Sequence, residues 1–346
     1  MKNFKIKQIL SFFTIASIFI SLFSSCSDDD SSSTASPLVV NSVSKAEAGD
    51  LVPTTFGYPA NMYVIQGSGF LGVKKIYFND VDTYFNPTLV TDSAIFITID
   101  LNTPYANASS ELKIVTSNGS VIYPFIIAPP APVFVKGFNP VNALAGDVIT
   151  IYGNFFLKPT VKIGTTDVPV ISSSLTEIKV AVPADSNDKY VTVTTISGSV
   201  VSSNAIGSAL YDDALQGDAG HWMWGGSDVF DTNNTSDVDQ GEKSIKFVFG
   251  GWSGSDMKFV SRNVSKYKAF RVRVKSISTD TKASLKFVFG GWAFQIIKPI
   301  TSEWTTIEIP FSEIGNPTNF DQLTLQESGN FGGNTILFDN MGFVLK

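Results

Sequence analysis

The residues best placed to do chemistry are tryptophans. All five of them follow residue 221 in a chain of 346. Trp222 and Trp224 stand two apart in His221-Trp222-Met223-Trp224-Gly225-Gly226. Trp252 and Trp292 each close the same heptapeptide, Lys-Phe-Val-Phe-Gly-Gly-Trp, at 246–252 and 286–292. Core packing alone would spread large aromatics along the chain. Gathered in one segment, they predict an aromatic binding surface. The chemistry they offer is stacking. An indole face is electron-rich and flat, so it complements the C–H face of a pyranose ring, and burial of both surfaces adds a hydrophobic contribution.

Strand periodicity gives these side chains a direction. Ile245, Phe247 and Phe249 share one face of a strand, as do Leu285, Phe287 and Phe289, and this apolar face predicts core. Counting on by two places Trp252 and Trp292 on the opposite face, with Gly250 and Gly290 clearing space beside them. A bulge at either Gly-Gly would turn the indole inward instead. Trp222 and Trp224 share a face if their segment is extended, whereas Gly225-Gly226 suggests a loop. Trp304, near Ile307 and Ile309, reads as core. In Leu323-Thr324-Leu325-Gln326 the leucines point inward and Gln326 outward, where its amide suits sugar hydroxyls. Arg271 and Arg273 oppose Phe270, Val272 and Val274 and are candidates for the same face. A solvated outer face accounts for these polar residues equally well.

Catalysis finds little support. A glycosidase needs two carboxylates flanking the scissile bond, and Glu242, Glu303, Glu308, Glu313 and Glu327 are scattered. The single histidine, His221, accompanies no nucleophile motif, and Gly251-Trp252-Ser253-Gly254 lacks the full serine elbow. Asp212, Asp213 and Asp339 offer the hard oxygen ligands that a structural calcium takes. No other cofactor is called for.

The N-terminus reads as an export signal. Lys2, Lys5 and Lys7 precede an apolar run from Ile9 to Phe23, too short for a span of ~20 residues. The sole cysteine, Cys26, follows Ser24-Ser25 and precedes Ser27-Asp28-Asp29-Asp30. This resembles the Bacteroidetes signal for lipoproteins exported to the outer face of the outer membrane. The resemblance implies lipidation of Cys26 after removal of residues 1–25, with 26–36 as a flexible tether. One cysteine excludes an internal disulfide. Without the signal the chain carries 22 basic and 31 acidic groups, a balance unsuited to nucleic acid.

The remainder predicts an all-β protein of three domains. Short alternating segments rich in Val, Ile, Thr and Phe are separated by Gly, Asn, Asp, Ser and Pro. Within 129–208, Gly146-Asp147, the strand Val148–Tyr152 and Gly153-Asn154-Phe155-Phe156 closely resemble the IPT/TIG family of immunoglobulin-like domains. Within 37–128, Tyr63-Val64-Ile65-Gln66-Gly67-Ser68-Gly69-Phe70 repeats the pattern more loosely. Ala128-Pro129-Pro130-Ala131-Pro132 between them predicts a stiff hinge. Both domains read as spacers. Residues 209–346 resemble a jelly-roll β-sandwich carbohydrate-binding module, through Tyr211-Asp212-Asp213, Trp304–Phe311 and Ile336–Val344.

In layout the chain resembles the surface glycan-binding lipoproteins of Bacteroidetes polysaccharide-utilisation systems. That implies a lipid-anchored protein on the cell exterior that holds polysaccharide without cleaving it. An outer-membrane glycan transporter or neighbouring lipoproteins would be its partners. Trp222, Trp224, Trp252 and Trp292 would stack on sugar, with Gln326 and Arg271 as hydrogen-bond donors. A flat aromatic platform suits a β-glucan. An adhesin with a protein partner is the alternative reading, and a glycoside hydrolase the second.

Overall fold

The computed structural model describes residues 36–226, 229–278, 283–329 and 333–346. Cys26 and the export signal lie outside them. The described residues are arranged as β-sheets, with short 3₁₀ turns at Pro87–Leu89 and Phe311–Ile314. No helix among them is long and apolar enough to cross a membrane.

Three separate apolar cores divide the chain. In the first, Val39–Lys45, Met62–Ser68 and Ala94–Thr98 form one sheet, and Val81–Asp82, Val73–Phe78, Glu111–Thr116 and Gly119–Pro124 form the facing one. In the second, Val133–Asn139, Val148–Asn154, Glu177–Ala181 and Val170–Ser173 face a sheet built on Thr160–Ile163 and Tyr190–Thr195. The shared Gly-x-x-Phe motif has the same physical cause in both. A Cβ at Gly67 would fall 2.6 Å from the Phe70 ring and 1.9 Å from the Val39 carbonyl oxygen. At Gly153 the distances are 2.2 Å to Phe156 and 2.1 Å to the Val133 oxygen. Only glycine lets the strand bend over the phenylalanine that plugs each core.

The third core is the largest and the richest in phenylalanine. Its back sheet orders Val229–Asn234, Ser244–Phe249, Asn334–Leu345, Tyr267–Ser276 and Thr305–Pro310, with the short Ala209–Tyr211 also paired to Asn334–Leu345. Its front sheet orders Asp218–Trp224, Gly254–Asn263, Asn319–Glu327, Ser284–Phe289 and Phe294–Pro299. The repeated heptapeptide therefore serves opposite sheets. Its first copy lies in the back sheet and its second in the front. Phe247, Phe249, Phe287 and Phe289 all point into the core between them, each 4% exposed or less. Phe270, from the back sheet, packs against the second copy, 6.3 Å from Phe287 and 5.7 Å from Phe289 edge to face.

A dense seam joins the second and third sandwiches. Asp212 accepts the amides of Val141 and Asn142, at 2.6 and 3.1 Å. Asp213 accepts the Asn139 side-chain amide and the amides of Glu242 and Lys243. Asp339 accepts the amides of Asp239, Gln240 and Asn340, and Gln240 in turn donates to the Phe138 carbonyl at 2.7 Å. These three aspartates, considered above as calcium ligands, thus face N–H donors across and beside the seam. Among the described residues no three His, Cys, Asp or Glu side chains gather as a metal site. Burial pushes the Asp212 carboxyl up to about 6 and that of Asp339 up to about 7.

Candidate functional site

The edge strand Asp218–Trp224 is extended through both tryptophans. It pairs antiparallel with Gly254–Asn263, Trp222 opposite Asp256 and Trp224 opposite Gly254. Met223 between them packs against the core, so alternation turns both indoles outward on the front sheet. Their rings stack 5.4 Å apart at 23°. Gly254 is what admits this arrangement. A Cβ there would sit 2.4 Å from Cζ2 of Trp224, so only a bare backbone lets the indole lie across the neighbouring strand.

Trp292 reaches the same place by another route. It lies in the turn linking Ser284–Phe289 to Phe294–Pro299, closed by the Phe289–Phe294 pair, with a φ of +76°. Its ring lies 6.3 Å from Trp224 at 52°, and the Lys286 ammonium stands 6.0 Å from its centroid. Trp252, with a φ of +60°, occupies the crossover from back sheet to front. Its amide donates to Glu327 Oε2 at 2.7 Å, and its carbonyl accepts from Gln326 Nε2 at 3.2 Å.

Strand counting therefore gave these two indoles the right exposure for the wrong reason. The strands end at Phe249 and Phe289, and the Gly-Gly pairs open turns in which each tryptophan takes the left-handed backbone. That conformation is unusual for a bulky residue and costs of order 1–2 kcal/mol. Trp222, Trp252 and Trp292 are 66%, 48% and 44% exposed.

Cross-strand register lays the outward residues of the front sheet in two rows. One runs Trp224, Gly254, Gln326, Lys286, Ile297, and the next runs Trp222, Asp256, Thr324, Val288, Gln295. Trp222, Trp224 and Trp292 wall a cavity of about 180 Å³ floored by Asp256 and Thr324. Asp256 Oδ1 accepts from Gln322 Nε2 at 2.6 Å and from Thr324 Oγ1 at 2.7 Å. Lys258 Nζ stands 3.4 Å from its other oxygen. The carboxylate is thereby fixed in orientation beneath three indoles. Among the described residues it is the one carboxylate lining this cavity. Glu327, fully buried behind Trp252, accepts the amides of Trp252 and Gly329.

Trp222, Trp224 and Trp292 are thus brought together, whereas Trp252 and Gln326 do not line this cavity; Gln326 stands opposite Gly254 in the Trp224 row and bonds the Trp252 carbonyl. Arg271 is not part of this site. It belongs to the back sheet, is 8% exposed and donates to the Ser203 carbonyl of the second sandwich at 2.9 Å. Alternation placed it opposite Phe270 correctly, but that face receives a neighbouring domain. Arg273, also on the back sheet, pairs with Asp239 of the loop that precedes Ser244–Phe249. Trp304 is half-buried outside the core, its indole N–H on Asp237 at 2.9 Å. Asp256, Thr324, Gln322 and Lys286 were missed. The alternation that set Gln326 outward marks Thr324 and Gln322 as well, and Asp256 alternates with inward Ser255 and Met257.

Residues 132–209 match the model of the IPT/TIG domain. The match spans the second sandwich. An IPT/TIG domain-containing protein of Bacteroides ovatus is 26% identical over 141 residues, which cover 39% of this chain and 29% of that protein. The chain thus spans under a third of the length of this relative. Among solved structures, a surface glycan-binding protein of Prevotella bryantii is similar at 15% identity and a TM-score of 0.49, covering 89% of this chain and 98% of that one. Another, from a complex xyloglucan utilisation locus of Bacteroides uniformis, is 16% identical with a TM-score of 0.40, covering 89% of this chain and 99% of that one.

Proposed function

We propose that this protein is a non-catalytic polysaccharide-binding protein whose third sandwich stacks sugar rings on Trp222, Trp224 and Trp292. The observation that carries this reading is their convergence over a fixed carboxylate and hydroxyl. An exposed cluster of large aromatics is costly in water unless a ligand covers it. Around the apolar walls, Asp256 is an acceptor, Thr324 a hydroxyl, and Gln326 and Lys286 are donors, an assortment suited to sugar hydroxyls. The angle between Trp224 and Trp292 makes the site a curved cradle rather than a flat platform.

A β-linked glucan, whose rings present flat C–H faces, is the ligand we favour. Single-site affinity would be modest, about −4 to −8 kcal/mol, and many anchored copies on one polymer would raise retention. Lipidation at Cys26 would hold the protein on the outer face of the outer membrane, with the two immunoglobulin-like domains as spacers. Captured glycan would pass to an outer-membrane transporter or neighbouring lipoproteins.

Pull-down of the protein by insoluble β-glucan, with an assay for released reducing sugar, tests the reading. Retention without sugar release is the expected result. Sugar release by the pure protein would make it a hydrolase. Retention by cell-surface protein but by no glycan would make it an adhesin.

A further inference from the structure

The front sheet carries a second cavity next to the indole cradle. The ladder between Ser284–Phe289 and Asn319–Glu327 runs from Leu285–Glu327 to Val288–Thr324 and then stops. Beyond that point the turn bearing Trp292 parts from the neighbouring strand. The gap is a cavity of about 230 Å³ whose lining includes buried Phe289, Ile314 and Phe320, Gly290 and Gly291 of the turn, and the polar Asn319, Asp321 and Gln322.

Two features make the cavities neighbours. Gln322 lines the second and donates its amide nitrogen to Asp256, which floors the first. The turn that puts Trp292 in the wall of the first puts Gly290 and Gly291 in the wall of the second. Both glycines have left-handed backbone, and a Cβ at Gly291 would meet nothing within 4 Å, so this side of the turn is open. The lining repeats the chemistry of the cradle without its tryptophans. An apolar floor suits the C–H face of a ring, and the carbonyl of Gln322 and the amide of Asn319 suit its hydroxyls.

Resting on the glycan reading, we infer that the second cavity is an extension subsite. It takes the next sugar of a chain whose preceding rings stack on Trp222, Trp224 and Trp292. The ligand is then a linear, neutral glycan longer than the cradle. The Asp321 carboxylate, exposed in the lining of the second cavity, disfavours an acidic sugar there, because like charges brought together are repelled.

Titration calorimetry of the whole protein with short and long cello- and laminari-oligosaccharides tests this, comparing wild type with the double variant Asn319→Ala, Asp321→Ala. Both side chains are exposed, so the fold tolerates their loss. Wild-type affinity should climb with chain length. The double variant should lose roughly five- to tenfold for long chains, the size of one or two hydrogen bonds, and nothing for short ones. Equal losses at all lengths, or none, would overturn the subsite while leaving the cradle intact. If wild type binds neither short nor long chains of either series while Trp224→Ala likewise changes nothing, the glycan reading itself falls, and the subsite with it.

Discussion

Trp224 lies against a glycine. The space that a side chain at Gly254 would take is filled by its indole, 2.4 Å from the position of the absent Cβ, and the Leu325 carbonyl closes the other side at 2.5 Å. One missing methyl group thus fixes the plane of the central indole, against which Trp222 and Trp292 are both arranged.

Gly254→Ala should therefore act at a distance from any sugar contact. The inserted methyl must move either Trp224 or the strand, at a cost of about 1–3 kcal/mol. We expect a lower Tm, an altered near-ultraviolet circular dichroism spectrum from the displaced Trp222–Trp224 pair, and loss of glycan retention. Unchanged retention with the changed spectrum would show that indole geometry does not matter.

Asp256→Asn tests the floor of the cradle. The substitution keeps size but removes the charge and one acceptor, and it disturbs the bonds from Thr324 and Gln322. Binding measured by calorimetry should weaken roughly five- to twentyfold, the range for a hydrogen bond to a charged group. A change smaller than twofold would exclude the carboxylate from recognition.

Arg271→Ala separates the seam from the site. Loss of the bond to the Ser203 carbonyl should lower stability by about 1–3 kcal/mol and speed proteolysis between the second and third sandwiches. Glycan affinity should not change. A binding defect in a folded Arg271→Ala protein would return this residue to the site from which the structure removes it.

The seam also predicts the direction of a pH dependence. Asp212 and Asp339 sit at about 6 and about 7, above the ordinary value of 3.8, because burial penalises their charged forms. A raised carboxyl means the folded state holds more protons than the unfolded one. The stability these two contribute is complete below about 4 and is lost as pH rises through 6 and 7. From these groups, Tm should fall between about pH 4 and pH 7, and Asp339→Asn should flatten the decline. A slope of the opposite sign, or one untouched by Asp339→Asn, would contradict this.

Local pattern and tertiary placement were not equally legible in the sequence. The inward phenylalanines of both heptapeptides, the inward leucines 323 and 325, and the pairing of Trp222 with Trp224 on one face all follow from period-two alternation. Alternation cannot say which sheet a strand joins. The two heptapeptides read as equivalent, yet one copy lies in each sheet, and only Trp292 meets Trp224. Arg271 failed for the same reason, since its outward face is covered by residues far away in sequence. Alternation turns Asp256 outward, but only register brings it beside Thr324 and opposite Trp222.

The most direct measurement is affinity electrophoresis of the whole protein and its Trp224→Ala variant through gels containing neutral β-glucans. Trp224 touches both other indoles of the cradle. Wild type should be retarded by at least one glucan, and Trp224→Ala should migrate as in a gel without glycan while keeping its Tm within a few degrees. Free migration of wild type in every gel, or equal retardation of the variant, would contradict glycan capture by this cradle.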